Sequence, residues 1–302
     1  MPFEIHAHAQ QGSLSPLITF GLVLLAFVYC RGWLRIRNAS PTLIPLWRLA
    51  AFVSGMFLLW IALGSRLAVL DHQLLTVHMM KHLLLMTAGA PLILLGAPSL
   101  PLQCGLPKYF MHRSLLLRSR TPPLFAHLFS NSIFCWLAGA AAVIAWHIPA
   151  LFNLAMSSHT WHIVQDASFL SAGLLFWRPI VQPWSSDAKP PRWSMPLYLF
   201  LAAFPCDILS AFLTFCGRVV YPSYASAARV FNLSPLQDQE CAGALMWVCV
   251  TFAYLIPAVV ITMQILTPGD VNRQGNAPGM LPPLAVAKVS GVEVEVVQRY
   301  GD

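Results

Sequence analysis

Charge is what this chain has least of. Among 302 residues only 18 are Lys or Arg and 11 are Asp or Glu, 10% in all, where a soluble domain carries roughly 25%. With 57% hydrophobic residues and a mean hydropathy of +0.65, a water-exposed globular surface is excluded and a polytopic membrane protein is expected. The apolar runs lack the ten-residue alternation of a membrane barrel, so they are expected to be helices whose backbone bonds close internally. The seven cysteines lie mostly inside those runs and form no disulfide framework. G-x-S-x-G, G-x-x-x-x-G-K-[ST] and H-E-x-x-H are all missing, which leaves no hydrolytic nucleophile, phosphate loop or metalloprotease site, and no independent enzyme activity is expected. The net charge of +7 does not argue for nucleic acid, because the basic residues sit in short loops between apolar runs, as orientation signals do.

What is present is seven apolar segments, approximately 14–31, 47–70, 73–97, 129–148, 160–181, 194–217 and 241–266. Each is near the roughly 20 residues that cross a bilayer core about 30 Å thick. The first is too long, and its amino-terminal flank too poor in Lys and Arg, for a cleaved signal peptide, so it is expected to stay as an anchor. Arg31, Arg35, Arg37 and Arg48, then Lys108, Arg113, Arg118 and Arg120, then Arg178, Lys189 and Arg192 mark the loops after segments one, three and five as cytoplasmic. The expected fold is therefore an all-α seven-helix transmembrane bundle over residues 14–266. An outward amino-terminal segment (1–13) precedes it, and a cytoplasmic tail of low structural content (267–302) follows.

On that topology the ionisable residues of several spans fall towards one face of the membrane. His78 and His82 share one helix face at i, i+4, with Asp71 and His72 at the mouth of the same segment. His147 closes segment four just before Pro149, and His162 and Asp166 open segment five behind His159. Asp207 follows Pro205 and Cys206 in segment six, and Asp238, Gln239, Glu240 and Cys241 lead into segment seven. Each such group costs roughly 2.5 to 3.5 kcal/mol to place in hydrocarbon, so a set of them at one depth implies a use, most simply a polar, metal-capable pocket. Imidazole suits copper, zinc and iron, and the neighbouring Met79, Met80, Met86, Met246, Cys206 and Cys241 favour copper(I). The candidate ligands are His78, His82, His147, His162, Asp166 and Asp238, with His72, Asp207, Gln239, Cys206, Cys241 and Met79 in support.

The plainer readings stand beside this one. His72 and His159 suit an interface, His78 and His82 suit helix-to-helix hydrogen bonds, and His147 suits closure of its own helix end. Asp207 suits a packing pair and the Met residues suit core filling. Two other functions use the same residues: a haem-binding or quinone-linked redox protein with facing axial His, and a metal or proton transporter using the intramembrane carboxylates.

Three runs in order carry a family resemblance. HMMKHLLLMTAGAPLILLGAP (His78 to Pro98), WHIPALFNLA (Trp146 to Ala155) followed by FLSAGLLFWRPIV (Phe169 to Val181), and DQECAGALMW (Asp238 to Trp247) together resemble the seven-span CtaG-type assembly factors of caa-type cytochrome c oxidases. The resemblance implies a multi-pass protein of a bacterial cytoplasmic (inner) membrane that matures a haem-copper oxidase by holding or delivering copper at the outer side. The implied partners are cytochrome c oxidase subunits and a periplasmic copper chaperone as donor. It also implies that the family's paired His corresponds to His78 and His82, its W-H-x-P to His147, and its D-Q to Asp238 and Gln239. One departure stands out. Where the family commonly reads H-x-x-E-H-x-x-F, this chain has His162, then Gln165 and Asp166, then Phe169, and a carboxylate is a harder ligand than imidazole for copper(I).

Overall fold

A computed structural model of the chain describes residues 16–40, 43–65, 67–107, 129, 131–181, 191–225, 232–267, 287–289 and 292–294. The expected apolar segments are all helical: α1 Pro16–Ala39, α2 Leu46–Gly64, α4 Leu75–Leu83 continuing into α5 Ala90–Leu95, α7 Ser132–His147, α9 His159–Val181, α10 Ser194–Phe215 and α12 Pro235–Leu266. Short helices α3 Leu67–Leu70, α6 Ser99–Gly105, α8 Pro149–Ser157 and α11 Pro222–Ala225 join them. Among the described residues, five helices are long and apolar enough to cross a membrane and the bent pair α7–α8 makes up to six, against the seven spans expected. The 23-residue α9 is not among these five, because His162, Gln165 and Asp166 interrupt its apolar run. Large side chains such as Phe20, Phe57, Phe200, Ile208 and Ile256 point outward, as lipid-facing positions do when the backbone is satisfied within each helix. The expected outward segment 1–13, and the basic residues Lys108, Arg113, Arg118, Arg120 and Lys189, lie outside the described residues. Within the tail, expected to be of low structural content, β1 Ala287–Val289 pairs antiparallel with β2 Val292–Val294.

Three local features position the site. The third segment is not one continuous α-helix, because residues Leu84–Gly89 form a π-helical turn directly after His82. There the Ala90 N–H reaches back five residues to the Leu85 carbonyl. Pro91 explains the widening: it has no N–H to give Thr87, and its ring needs room beside that carbonyl. The re-phased turn leaves the Met86 carbonyl to accept from Trp177 Nε1 at 3.0 Å, tying α9 to this segment.

Next, α7 begins with Asn131 accepting from the Ile133 and Phe134 backbone N–H groups and ends at His147. Pro149 cannot continue the helix, and the chain bends by 76° into α8. The bend lays Phe152 against His78, ring centroids 5.1 Å apart.

Lastly, α12 starts at Pro235, six positions before the expected 241, because Ser234 and Gln237 form a reciprocal capping box with Pro235 in the first turn. Asp238 and Gln239 are therefore helical and buried rather than in a connecting loop.

Two glycines set how closely the helices approach. A Cβ on Gly243 would lie 2.5 Å from Thr214 Oγ1 and 2.9 Å from the Ser210 carbonyl oxygen, so α12 packs on α10 almost backbone to backbone. A Cβ on Gly173 would lie 2.9 Å from Met86 Cα, which lets α9 rest on the π turn. Around that contact Met86, Phe169, Phe176, Trp177, Leu199 and Tyr254 form the central apolar cluster. Gly173→Ala is expected to lower stability by about 1–3 kcal/mol, since backbone cannot yield to the added methyl. Thermal unfolding in detergent measures this, with Gly217→Ala, whose Cβ meets nothing within 4 Å, expected to leave the midpoint unchanged.

Candidate functional site

Helix α4 carries the centre of the site, since His78, Lys81 and His82 fall on one of its faces and all are buried. Its first turn has no cap of its own, because the N-cap position is Leu74. The cap comes from α12 instead. Asp238 Oδ2 accepts from the Leu75 N–H at 2.6 Å, and Oδ1 accepts from the Thr76 N–H at 3.1 Å and from the Thr76 hydroxyl at 2.7 Å. A carboxylate at a helix amino terminus satisfies orphan donors and opposes the positive end of the helix dipole. Next to it, the Gln239 amide holds the loop after α10: Oε1 accepts from the Val220 N–H at 2.7 Å, and Nε2 donates to the Arg218 carbonyl at 3.1 Å. The pair Asp238–Gln239 thus fixes α4 and its surroundings. The side chains of Asp238 and Gln239, expected as a metal ligand and its support, are thus engaged in holding backbone groups.

The ammonium of Lys81, 3% exposed, sits at the heart of the cluster. It donates to Asp71 Oδ2 at 2.5 Å, lies 3.0 Å from Asp166 Oδ1, and lies 2.5 Å from His162 Nε2. His162 Nε2 is also 3.0 Å from Asp71 Oδ2. The Tyr224 hydroxyl donates to the Asp71 backbone carbonyl at 2.5 Å and fixes that turn from above. Burial alone would raise the Asp71 carboxyl, but the hydrogen bond from His162 and the charge of Lys81 outweigh it and hold the group well below the usual carboxylate range. His72 is 3.7 Å from Asp71 Oδ1, too far for a hydrogen bond, and its ring rests 4.8 Å from that of His162.

Below this charged group lies a layer of neutral donors. His78 and His82 pack ring to ring with centroids 4.3 Å apart, and His78 is 5.6 Å from His162. Both ring nitrogens of His78 and of His82 are buried without a hydrogen-bond partner, as is His162 Nδ1. His147 donates from Nδ1 to the Val143 carbonyl at 2.7 Å, a bond that fixes the tautomer and leaves Nε2 as a buried, unpartnered lone pair. Both amide atoms of the fully buried Gln165 lack partners too. An unpaired buried polar atom costs about 1–3 kcal/mol, so so many together mark a place built for something other than packing.

The structure brings His78, His82, His162 and Asp166 together, and His147 is within electrostatic reach of His82. Other expected members are elsewhere. Met79 is buried in an apolar cluster with Leu75, Phe152 and Leu213, as core filling. Cys206 lies buried in the central cluster beside Tyr254 and Asp207, and Cys241 is exposed on the outside of α12. These are the surroundings of the thiol and thioether groups that were expected to support the pocket. Among the described residues, Asp71, His78 and His162 form a trio whose potential ligand atoms all lie within 4.8 Å of one another. Asp71 had been placed only at the mouth, and Lys81 had no role in the sequence reading. The signal for Lys81 was there, as the only Lys or Arg between 75 and 95, where an ionisable side chain is expensive.

Residues 27–267 match the family model described as cytochrome c oxidase caa3 assembly factor (Caa3_CtaG). No curated protein and no solved structure matches the chain.

Asp238→Ala is expected to destabilise the chain by about 2 kcal/mol through loss of the α4 cap. Asp238→Asn, which keeps one acceptor oxygen, is expected to lose about half of that. Chemical denaturation in mild detergent measures both; a wild-type midpoint for Asp238→Ala would contradict the capping role.

Proposed function

The chain belongs to the cytochrome c oxidase caa3 assembly factor family, with the matched region covering residues 27–267, and on that footing we propose that it holds copper in transit to the oxidase. The observation that carries the reading is the layer of buried imidazoles whose nitrogens have no partner, His78, His82, His147 Nε2 and His162 Nδ1. The donor set fits the cargo. Neutral imidazole nitrogens suit copper and bind hard cations such as magnesium or calcium poorly. The rings lie against one another and against Phe152 and Phe169, with His82 stacked 4.1 Å from Phe169, which favours a single ion over a macrocycle such as haem.

In this reading His78 and His82 hold the ion from α4, while His162 and Asp71 close the upper side. His147 adds a nitrogen already aimed by its own helix carbonyl. Asp238 and Gln239 act by positioning, since a ligand-bearing helix whose first turn is pinned from α12 presents its imidazoles at a fixed depth. Placed at the outer side of a bacterial cytoplasmic membrane, the site opens towards the compartment in which an oxidase subunit exposes its own copper ligands. The partners are that subunit and a periplasmic copper donor.

The test uses the full chain purified in mild detergent, loaded with copper(I) and freed of excess metal. Copper retention is expected to fall at least about tenfold when His78 and His82 are both changed to Ala. Cells carrying that variant are expected to assemble an oxidase deficient in copper. Unchanged retention in a variant that still folds would overturn the proposal.

A further inference from the structure

The trio best placed to share one ion, Asp71, His78 and His162, is already attended by a cation. The Lys81 ammonium sits 2.5 Å from both Asp71 Oδ2 and His162 Nε2, so it stands against two of the three residues. The same ammonium has another carboxylate within reach, with Asp166 Oδ1 at 3.0 Å and Oδ2 at 3.1 Å. Asp166 is the more open of the two acids, its side chain 15% exposed against 1% for Asp71. His78, fully buried with neither ring nitrogen partnered, completes the trio from below.

We infer that Lys81 is a built-in stand-in for the metal: its ammonium occupies the Asp71–His162 position in the empty site, and an incoming monovalent cation displaces it onto Asp166. The inference rests on the copper reading above and concerns how that same site is gated and which charge it accepts. The exchange is one of position alone, in which Lys81 keeps its proton and no bond is made or broken at carbon or nitrogen.

The charge balance selects the cargo. Asp71 and Asp166 contribute two negative charges and Lys81 one positive, so these three side chains carry a net charge of −1. Asp238 stands apart, its charge met by three donors at the start of α4. A monovalent ion at Asp71 leaves two neutral pairs, ion with Asp71 and Lys81 with Asp166. A divalent ion leaves a surplus positive charge in a buried site, and such a charge is strongly disfavoured without a partner. The wild-type arrangement therefore favours copper(I) over zinc(II), although imidazole binds both. The same ammonium offsets one of the two acid charges while the site waits.

The experiment compares wild type, Lys81→Met, the double variant Lys81→Met/Asp166→Asn, and His78→Ala, each as the full chain in detergent. Copper(I) affinity is read by competition with a chromophoric chelator under reducing conditions, and zinc(II) affinity by a parallel competition. Lys81→Met is expected to bind copper(I) at least about tenfold more tightly than wild type and to gain still more for zinc(II), because the site then carries a net charge of −2. The double variant removes one of the two acids that the Lys81 change leaves unpaired, and it is expected to keep the gain for copper(I). A Lys81 change that leaves affinity unaltered or weakens it, while His78→Ala abolishes binding, overturns the stand-in role and leaves the copper reading intact. Absence of copper(I) binding in wild type and in both Lys81 variants overturns both.

Discussion

A buried ammonium between two carboxylates is the constraint around which this bundle is arranged. Lys81, Asp71 and Asp166 come from α4, the turn before it and α9, and none of them tolerates burial alone; removing one partner from such a group costs about 3–5 kcal/mol because the others are left uncompensated. The elements that carry them meet at this cluster. Once they meet, His78, His82 and His162 are brought within a ring's width of one another. The chemistry of the site is thus a consequence of satisfying its charges.

Several features far apart in sequence serve that meeting point. Asp238 pins the first turn of α4 from α12, and Gln239 holds the loop that leads to Tyr221 and Tyr224. Tyr224 in turn holds the Asp71 carbonyl, and Tyr221 donates to the His147 carbonyl at 3.1 Å. The π turn after His82 leaves a carbonyl for Trp177, and Gly173 lets α9 come close enough to present His162 and Asp166. Positions that a motif would mark as functional divide into those offering free lone pairs and those holding the first set in place.

The helices were legible in the sequence because hydropathy and the lack of charge leave a lipid-borne chain little choice. The convergence of His78, His82 and His162 was also legible, since span lengths fix depth. The roles of individual acids were not. Asp238 looks like a ligand from its neighbours in sequence, yet four residues upstream Ser234 opens a capping box that draws it into a helix and turns it towards the Leu75 amide. Lys81 was hidden by the habit of treating basic residues as orientation signals, a rule that applies to loops and not to the middle of an apolar run. Cys206 and Met79 were expected in the pocket on composition, and their helical phase places both in apolar packing. Depth can be read from a sequence, but direction around a helix at a proline-induced π turn cannot.

The central claim is that copper is held by imidazoles and a carboxylate, without sulfur. X-ray absorption at the copper edge of the copper(I)-loaded full chain tests it most directly. The expected result is a first shell of nitrogen and oxygen only, with the outer-shell scattering of histidine rings. A shell dominated by sulfur would place the ion with the cysteines or methionines instead and contradict it.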